Sequence, residues 1–168
     1  AVNVNEVTAI CVRLIRPHGE PNGITIFNKL DDRPLPPLRT DPDRLKQVLL
    51  NLLSNAVKYN KKGGTVTVDA KETFDGFLHI SVKDTGHGIA KDNYSGVFQT
   101  FNRLHIDPTI AKEGTGIGLS VSKMLVEQMS GRMGFESEIG ICSTFWFELP
   151  LASNEDVLIW TDSLRVGV

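Results

Sequence analysis

Two asparagines and a lysine, Asn51, Asn55 and Lys58, recur at intervals of four and three residues in a strongly helical segment. This spacing puts the three side chains on one stripe of a helix, away from its apolar face. An amide oxygen is a hard ligand suited to Mg²⁺, and a lysine can meet phosphate as a point charge. A solvated helix face would explain the same residues. Asparagine is a poor helix former, however, and two of them in a strong helix favour a binding role.

A carboxylate marks the second candidate site, the segment Asp84-Thr85-Gly86-His87-Gly88-Ile89. Asp84 has the same parity as the apolar positions of the predicted strand before it, so the pleat directs its carboxylate toward the core. A buried carboxylate needs a hydrogen-bond partner, and a ligand donor such as the exocyclic amine of adenine would supply one. The alternative is that Asp84 only caps the turn at Gly86.

Glycines distinguish the third candidate, Gly114-Thr115-Gly116-Ile117-Gly118-Leu119, at the start of a predicted helix. Glycine lets a backbone approach phosphate closely, and a helix N-terminus offers unpaired N–H groups. The spacing does not match the dinucleotide fingerprint, and the chain has no G-x-x-x-x-G-K-[ST] phosphate loop. A tight turn into a helix would explain these glycines equally well.

The helix that carries the asparagines is the clearest element of the chain. Thr40 or Asp41 can cap it, Pro42 suits its first turn, and the segment 61–64 ends it. Its apolar stripe consists of Leu45, Val48, Leu49, Leu52, Leu53, Ala56 and Val57.

Two further helices are predicted. The first covers residues 1–16, with Val7, Ile10, Cys11, Leu14 and Ile15 at helical spacing, and Pro17 stops the pattern. The second runs from about residue 116 to residue 130. It is apolar nearly all round, which predicts that it is largely buried.

Five strands complete the pattern, at residues 24–27, 65–70, 77–84, 132–138 and 143–149. Residues 65–84 read as an antiparallel hairpin with a turn at Asp75-Gly76, and residues 132–149 as a closing hairpin. With a short element at 97–101, the order is α-β-α-β-β-(α)-α-β-β. It predicts an α/β fold, a two-layer sandwich in which helices cover one face of a mixed sheet.

Composition limits the classes of function. The 168 residues suit one domain, and a net charge of −2 gives no reason to expect nucleic acid or a membrane as the main partner. Two distant cysteines favour a reducing compartment. The chain has no signal-peptide pattern and no run near the roughly 20 apolar residues of a membrane span, so we expect a cytoplasmic location.

The order and spacing of the three candidates resemble the ATP-binding catalytic domain of sensor histidine kinases. This domain belongs to the GHKL superfamily, with gyrase, the MutL repair protein and the heat-shock chaperone ATPases. Residues 41–60 resemble the N box, Asp84–Gly88 and Gly114–Leu119 the two glycine boxes, and residues 97–103 the F box. Ser143-Thr144-Phe145 matches the final strand. The resemblance covers roughly residues 24–151 and implies the GHKL (Bergerat) sandwich, with three helices on one face of the sheet.

The resemblance implies roles for the helix residues and for one loop arginine. Asn55 would bind the Mg²⁺ that bridges the phosphates, with Asn51 close enough to help. Lys58 would approach the phosphate oxygens, and Tyr59 would pack near the adenine. Arg103, in the F box, is a candidate for steadying the γ-phosphate, and a solvated loop arginine is the alternative. Asn55, Lys58 and Arg103 are the catalytic residues that this assignment gives.

The resemblance also assigns the loops. Asp84 would read adenine, Gly86 and Gly88 would let the base lie against the backbone, and Thr144 would assist Asp84 through a water. A lid, residues 102–115, would hinge over the triphosphate. Its glycines are Gly114, Gly116 and Gly118, and the remaining nucleotide contacts are Ile89, Thr115 and Leu119.

Two departures from the family pattern stand out. Cys142 replaces the second glycine that usually precedes the final strand. None of the four histidines, His18, His79, His87 and His105, has the context of a phosphoacceptor. The resemblance therefore implies a domain that binds Mg-ATP without phosphorylating itself. Its partners would be its own dimerisation and phosphoacceptor domain and a response regulator receiver, within a homodimeric kinase.

Other hypotheses remain open: another GHKL ATPase, a serine kinase of the superfamily, or a module that binds nucleotide only to regulate a partner. We divide the chain into a catalytic domain at residues 1–151, with core motifs at 41–149, and a tail or linker at 152–168. The apolar run at 157–162 could start a receiver domain, pair with this domain as a strand, or be left over from cloning.

Overall fold

The structure, a computed structural model, describes residues 1–99 and 118–158 of the chain. Its main α-helices within these ranges are α1 (Val4–Gly19), α2 (Pro42–Lys58) and α3 (Gly118–Gln128). It has five strands there, β1 (Thr25–Asn28), β2 (Thr65–Glu72), β3 (Phe77–Asp84), β4 (Arg132–Glu138) and β5 (Cys142–Pro150). Short 3₁₀ turns follow α1 at Glu20–Asn22 and precede Val97 at Lys91–Gly96.

The strands form one mixed sheet in the order β1-β2-β3-β5-β4. β1 runs parallel to β2, and the other neighbours are antiparallel. Side chains of β2 and β3 alternate between buried and partly exposed, because one face of the sheet meets the helices and the other is open. α1 packs on α2 and β1, α2 on β3, and α3 on β4. The predicted two-layer α/β sandwich and both hairpins are confirmed.

α2 forms as its sequence predicts. The side chain of Asp41 accepts hydrogen bonds from the N–H groups of Asp43 and Arg44, and Pro42 occupies the first helical position. All seven residues of the predicted apolar stripe are buried. Burial of this stripe determines which side chains of α2 face away from the core.

The two ends of the folded domain meet at Leu38, which is fully buried. Val2 pairs with Leu38 on one side, and Leu151 pairs with it on the other. Backbone hydrogen bonds from Arg39 to Pro150 (3.0 Å) and from Ala152 to Pro37 (2.9 Å) extend the second contact.

The prediction that Pro17 stops α1 is wrong, because the helix continues to Gly19. Pro17 lies on the exposed side of the last turn, where water can hydrate the carbonyl group left without its donor. The buried face of α1 also differs from the predicted one. Ile10 and Leu14 are 38% and 48% exposed, whereas Thr8 and Val12 are buried.

α3 is less buried than predicted. Ser122, Leu125 and Val126 face the core, but Met124 is 50% exposed. Beyond the sheet, residues 154–158 are helical, so Val157 and Leu158 do not form the strand that their apolar run suggested. The rest of that run lies outside the described residues.

Candidate functional site

The three polar residues of α2 lie on its partly exposed side, as predicted. Asn51 contacts the start of α3. Its amide nitrogen donates to the hydroxyl of Ser122 (3.0 Å) and to the carbonyl of Gly118 (3.4 Å). Ser122 is buried, so this contact fixes the first turn of α3, with the half-buried Leu119, beside α2. Asn51 thus already joins two helices, in addition to the metal role expected for it.

Lys58 and Tyr59 form the C-terminal end of α2. The Lys58 Nζ lies 5.8 Å from the centroid of the Tyr59 ring, a cation–π distance. The N–H of Tyr59 donates to the carbonyl of Asn55 (3.0 Å), which closes the last turn. All three side chains are partly exposed, so an amide, an ammonium group and an aromatic ring share one end of the helix.

Asp84 ends β3 with its side chain directed inward, as its parity predicted, and it is 6% exposed. Its Oδ1 accepts a hydrogen bond from the N–H of Gly86 (2.8 Å), so the turn-capping interpretation also holds. Burial raises the pKa of this carboxyl to about 6, although backbone N–H groups of Gly86 and Ser143 act in the opposite direction.

A second buried carboxylate, Glu148, shows the contrast. Burial acts to raise the pKa of Glu148, but hydrogen bonds from His79 and Arg132 hold that pKa below its usual range. The His79 Nδ1 lies 2.8 Å from Oε1 of Glu148, and Arg132 contacts Oε2. Glu148 is thus held by basic side chains, whereas the donors to Asp84 are backbone amides. Among the residues that the structure describes, no side chain donates to Asp84, and a ligand with a polar hydrogen would supply such a donor.

The loop after β3 packs closely against the end of α2 and the end of β4. A Cβ on Gly86 would lie 2.3 Å from the carbonyl oxygen of Tyr59, and one on Gly88 would lie 2.1 Å from that of Glu138. Gly88 also has a φ of +66°, which favours glycine. Glycine at both positions thus lets the loop approach other parts of the backbone. Contact with a bound base, the role expected from the resemblance, stays a prediction.

The expectation that Thr144 assists Asp84 is wrong. In the register of β3 and β5, Thr144 pairs with Lys83, while Ser143 pairs with Asp84. Ser143 is 5% exposed on the helix-covered face, whereas Thr144 lines a groove of about 480 Å³ on the open face. Phe145 and Phe147 are buried, so the parity of β5 alone already favours Ser143 over Thr144.

Sequence reasoning also missed Ser137 and Tyr94. The N–H of Ile89 donates to the Ser137 hydroxyl (2.8 Å), and the Tyr94 hydroxyl donates to the Ser137 carbonyl (2.5 Å). Ile89 itself is buried. The shared parity of Ser137 with Met133 and Phe135 in β4 is the signal that could have identified it.

Apart from Thr144, the described members of the predicted site lie on elements that contact one another. Tyr59 joins the asparagine helix to the loop, since its carbonyl lies against Gly86 and accepts from the N–H of His87 (3.4 Å). Gly118 and Leu119 begin α3 beside Asn51. Arg103, Gly114, Thr115, Gly116 and the expected lid at 102–115 lie outside the described residues.

The types of side chain in this region limit how it can bind a metal ion. Across residues 1–99 and 118–158, no group of three or more histidine, cysteine, aspartate or glutamate side chains is arranged to bind a metal. A cation at the end of α2 would therefore depend on amide oxygens and on the oxygens of an anionic ligand. The two asparagines and Lys58 suit such a metal–phosphate pair.

Membrane insertion is a separate question. Among the helices that the structure describes, none combines the length and the apolar character that crossing a bilayer requires.

Comparison with known proteins agrees with this geometry. The family model of histidine kinase-, DNA gyrase B-, and HSP90-like ATPases matches residues 40–153. The chain is 47% identical over 117 residues to the adaptive-response sensory kinase SasA of Synechococcus elongatus. The matched segment covers 70% of this chain and 30% of that protein. It is 34% identical over 158 residues to the non-motile and phage-resistance protein of Caulobacter vibrioides, covering 92% of this chain and 18% of that protein.

Solved structures show the same fold. Full-length ShkA in complex with AMPPNP has a TM-score of 0.78 and 33% identity, over 90% of this chain and 31% of that one. The mycobacterial sensor histidine kinase MprB has a TM-score of 0.75 at 22% identity, over 89% of this chain and 97% of that one, a likeness of fold. The chain spans less than a third of the two curated relatives described above.

Proposed function

This chain belongs to the family of histidine kinase-, DNA gyrase B- and HSP90-like ATPases, and we propose that it is the ATP-binding catalytic domain of a sensor histidine kinase. The observation that carries the proposal is the contact between Tyr59 and Gly86. It brings the amide and ammonium groups of α2 next to the loop that follows the buried carboxylate of Asp84. One ligand with a polar base and a phosphate chain matches both parts.

Each described residue then has a task. Asp84 accepts a hydrogen bond from the exocyclic amine of adenine, and the loop at 85–89 borders the base. Asn55, assisted by Asn51, holds Mg²⁺, and Lys58 contacts the phosphate oxygens as a point charge. Bound Mg-ATP supplies the γ-phosphoryl group for transfer. The contribution of the protein is positioning and charge neutralisation.

The phosphoacceptor is a histidine of a dimerisation domain that this chain does not contain. Among the described histidines, His79 is held by Glu148 and stacks on Trp146, with ring centroids 5.2 Å apart. His18 is exposed at the end of α1, and His87 lies in the glycine loop. The partners of the domain are this dimerisation domain, in a homodimer, and a response regulator receiver. A kinase–response regulator complex, that of ThkA with TrrA, is among the similar structures and shares the fold at 23% identity.

Calorimetry with Mg-AMPPNP tests the proposal. We expect the chain to bind this analogue and Asp84→Asn to lose the binding, because an amide cannot replace the carboxylate as an acceptor with full charge. Ser81→Ala, which removes a hydroxyl on the open face of the same strand pair, is the control and should bind normally. Equal affinity of the wild type and Asp84→Asn would contradict the site assignment. Absence of binding by the wild type would contradict the function.

A further inference from the structure

Three oxygen-bearing side chains form one row across the sheet at the edge of the core. Ser137 on β4 pairs with Ser143 on β5, and Ser143 pairs with Asp84 on β3. The next row on the same face, two residues further into each strand, is apolar. It consists of Phe135, Phe145 and Val82, which pair in the same register. The core face of the sheet therefore becomes polar where the loop at residues 85–89 begins.

The hydrogen bonds of Ser137 account for all of its hydroxyl capacity. The hydroxyl donates to the carbonyl of Cys142 (3.0 Å) and accepts from the N–H of Ile89 (2.8 Å). Its remaining contact is with the Ser143 hydroxyl, 2.8 Å away. A serine hydroxyl has one proton and two lone pairs. When the proton is directed to Cys142, Ser143 is the donor in the serine pair, an arrangement that satisfies all three partners of Ser137.

This assignment fixes the direction of the Ser143 hydroxyl. Its proton points toward Ser137, so its lone pairs remain as acceptors next to Asp84, its neighbour in the register. The ionised Asp84 is also only an acceptor. Two neighbouring acceptors suit a group that has two hydrogens to donate, such as an exocyclic amine, directly or through a water. They disfavour a carbonyl at the same place.

We propose that Ser137 is a positioning residue that sets adenine specificity by orienting the Ser143 hydroxyl and fixing the end of the loop at Ile89. The proposal rests on the function proposed above and names a determinant of its base selectivity. Ser137 need not touch the nucleotide, since it acts through Ser143 and through the Ile89 amide.

Other contacts keep the loop attached to β4 without the Ser137 hydroxyl. The Tyr94 hydroxyl donates to the backbone carbonyl of Ser137 (2.5 Å), and the N–H of Gly140 donates to the carbonyl of His87 (2.6 Å). Removing only the hydroxyl should therefore leave the fold intact while releasing Ser143 and Ile89.

The test measures base discrimination by binding. The dissociation constants of ADP and of inosine diphosphate, which has a carbonyl where ADP has the amine, are determined by calorimetry for the wild type and Ser137→Ala. We expect the dissociation constant of inosine diphosphate divided by that of ADP to fall by about 3- to 10-fold in the variant, as for the loss of one hydrogen bond. A purely structural defect would weaken both ligands equally and leave the ratio unchanged.

Three further variants sharpen the result. Ser137→Thr keeps the hydroxyl and should restore the ratio, and Ser81→Ala should leave it unchanged. Ser137→Cys nearly preserves the size of the side chain but is a weak hydrogen-bonding group, so it should lower the ratio if Ser137→Ala does not fold. Hydrogen exchange of the Ile89 amide in the nucleotide-free chain should accelerate in Ser137→Ala.

The outcomes separate the two proposals. If the wild type prefers ADP and the folded Ser137→Ala and Ser137→Cys keep the same ratio, the role of Ser137 is excluded and the ATP-binding function stands. If the wild type binds neither nucleotide, the proposed function itself fails.

Discussion

Gly88 lies against the carbonyl group of Glu138, at a separation that leaves no room for a side chain. A Cβ at residue 88 would come within 2.1 Å of that oxygen, and the backbone there has a φ of +66°. On the other side of the same loop, Gly86 lies against the carbonyl of Tyr59. The loop at residues 85–89 is thus held between the end of β4 and the end of α2, and its shape depends on both.

Gly88→Ala should therefore lower nucleotide affinity and destabilise the fold by roughly 1–3 kcal/mol or more, from backbone strain together with the clash. Gly76→Ala is the matched control. Gly76 has a φ of +84° in the hairpin turn, and a Cβ added there would meet no atom within 4 Å. Thermal unfolding and ADP calorimetry of both variants separate the effect of backbone strain, which both glycines share, from the effect of the close approach to Glu138, which only Gly88 has. An equal loss of stability and unchanged ADP affinity in both would show that the Glu138 contact is unimportant.

The stability of the nucleotide-free chain should depend on the protonation of Asp84. Its pKa is raised by burial from 3.8 to about 6, so the folded state binds a proton more tightly than the unfolded state. Stability contributed by this group is then fully present below pH 3.8 and is lost as the pH rises to about 6. The loss should be about 3 kcal/mol, since one pKa unit corresponds to about 1.4 kcal/mol.

Asp84→Asn should remove this pH dependence and make the empty domain more stable at neutral pH, while it abolishes nucleotide binding. Urea unfolding between pH 4 and pH 8 measures the effect, with Asp32→Asn in the exposed loop before α2 as the control. If wild type and Asp84→Asn lose stability in parallel over this range, the carboxylate is not the group that titrates.

Asn55→Asp should abolish binding of Mg-AMPPNP without unfolding α2. The change puts a negative charge at the end of the helix where the phosphates are expected, and it alters the proposed Mg²⁺ ligand. Ser54→Asp adds the same charge one residue away, on an exposed position of α2. Calorimetry should show binding by Ser54→Asp only, and binding by both would place the metal elsewhere.

The chain alone should not phosphorylate itself. None of its histidines has the sequence context of a phosphoacceptor, and His79 is held by Glu148. Incubation with Mg²⁺ and ATP labelled at the γ-phosphate, followed by autoradiography, should give no labelled protein. A histidine kinase that includes its dimerisation helices is the positive control. A labelled histidine in this chain would overturn the prediction.

Local rules of sequence predicted the elements that carry the site. Asp41 caps α2, its apolar stripe is buried, and the pleat of β3 directs Asp84 inward, because capping and periodicity depend on residues close in the chain. The assignment of Thr144 as the partner of Asp84 was wrong, because the alternation of side chains along β5 puts Ser143 on the face of Asp84. Ser143 shares the buried parity of Phe145 and Phe147, and Thr144 does not.

Features that depend on the packing of distant segments were not predictable in the same way. Met124 looks like a core residue in the sequence but is 50% exposed, because it lies away from the side of α3 that carries the buried Ser122, Leu125 and Val126. Glu148 has the parity of an open-face residue, and its burial depends on His79 and Arg132 from two other strands. The approach of Gly88 to Glu138 likewise joins residues far apart in the chain.

The pairing of Val2 and Leu151 with the same residue, Leu38, has a mechanical consequence. Any segments that continue the polypeptide before Val2 and after Leu151 depart from neighbouring points on the surface. Both segments would therefore join the domain at one place on its surface. A pull or twist transmitted through either segment would reach the domain at the Leu38 contact.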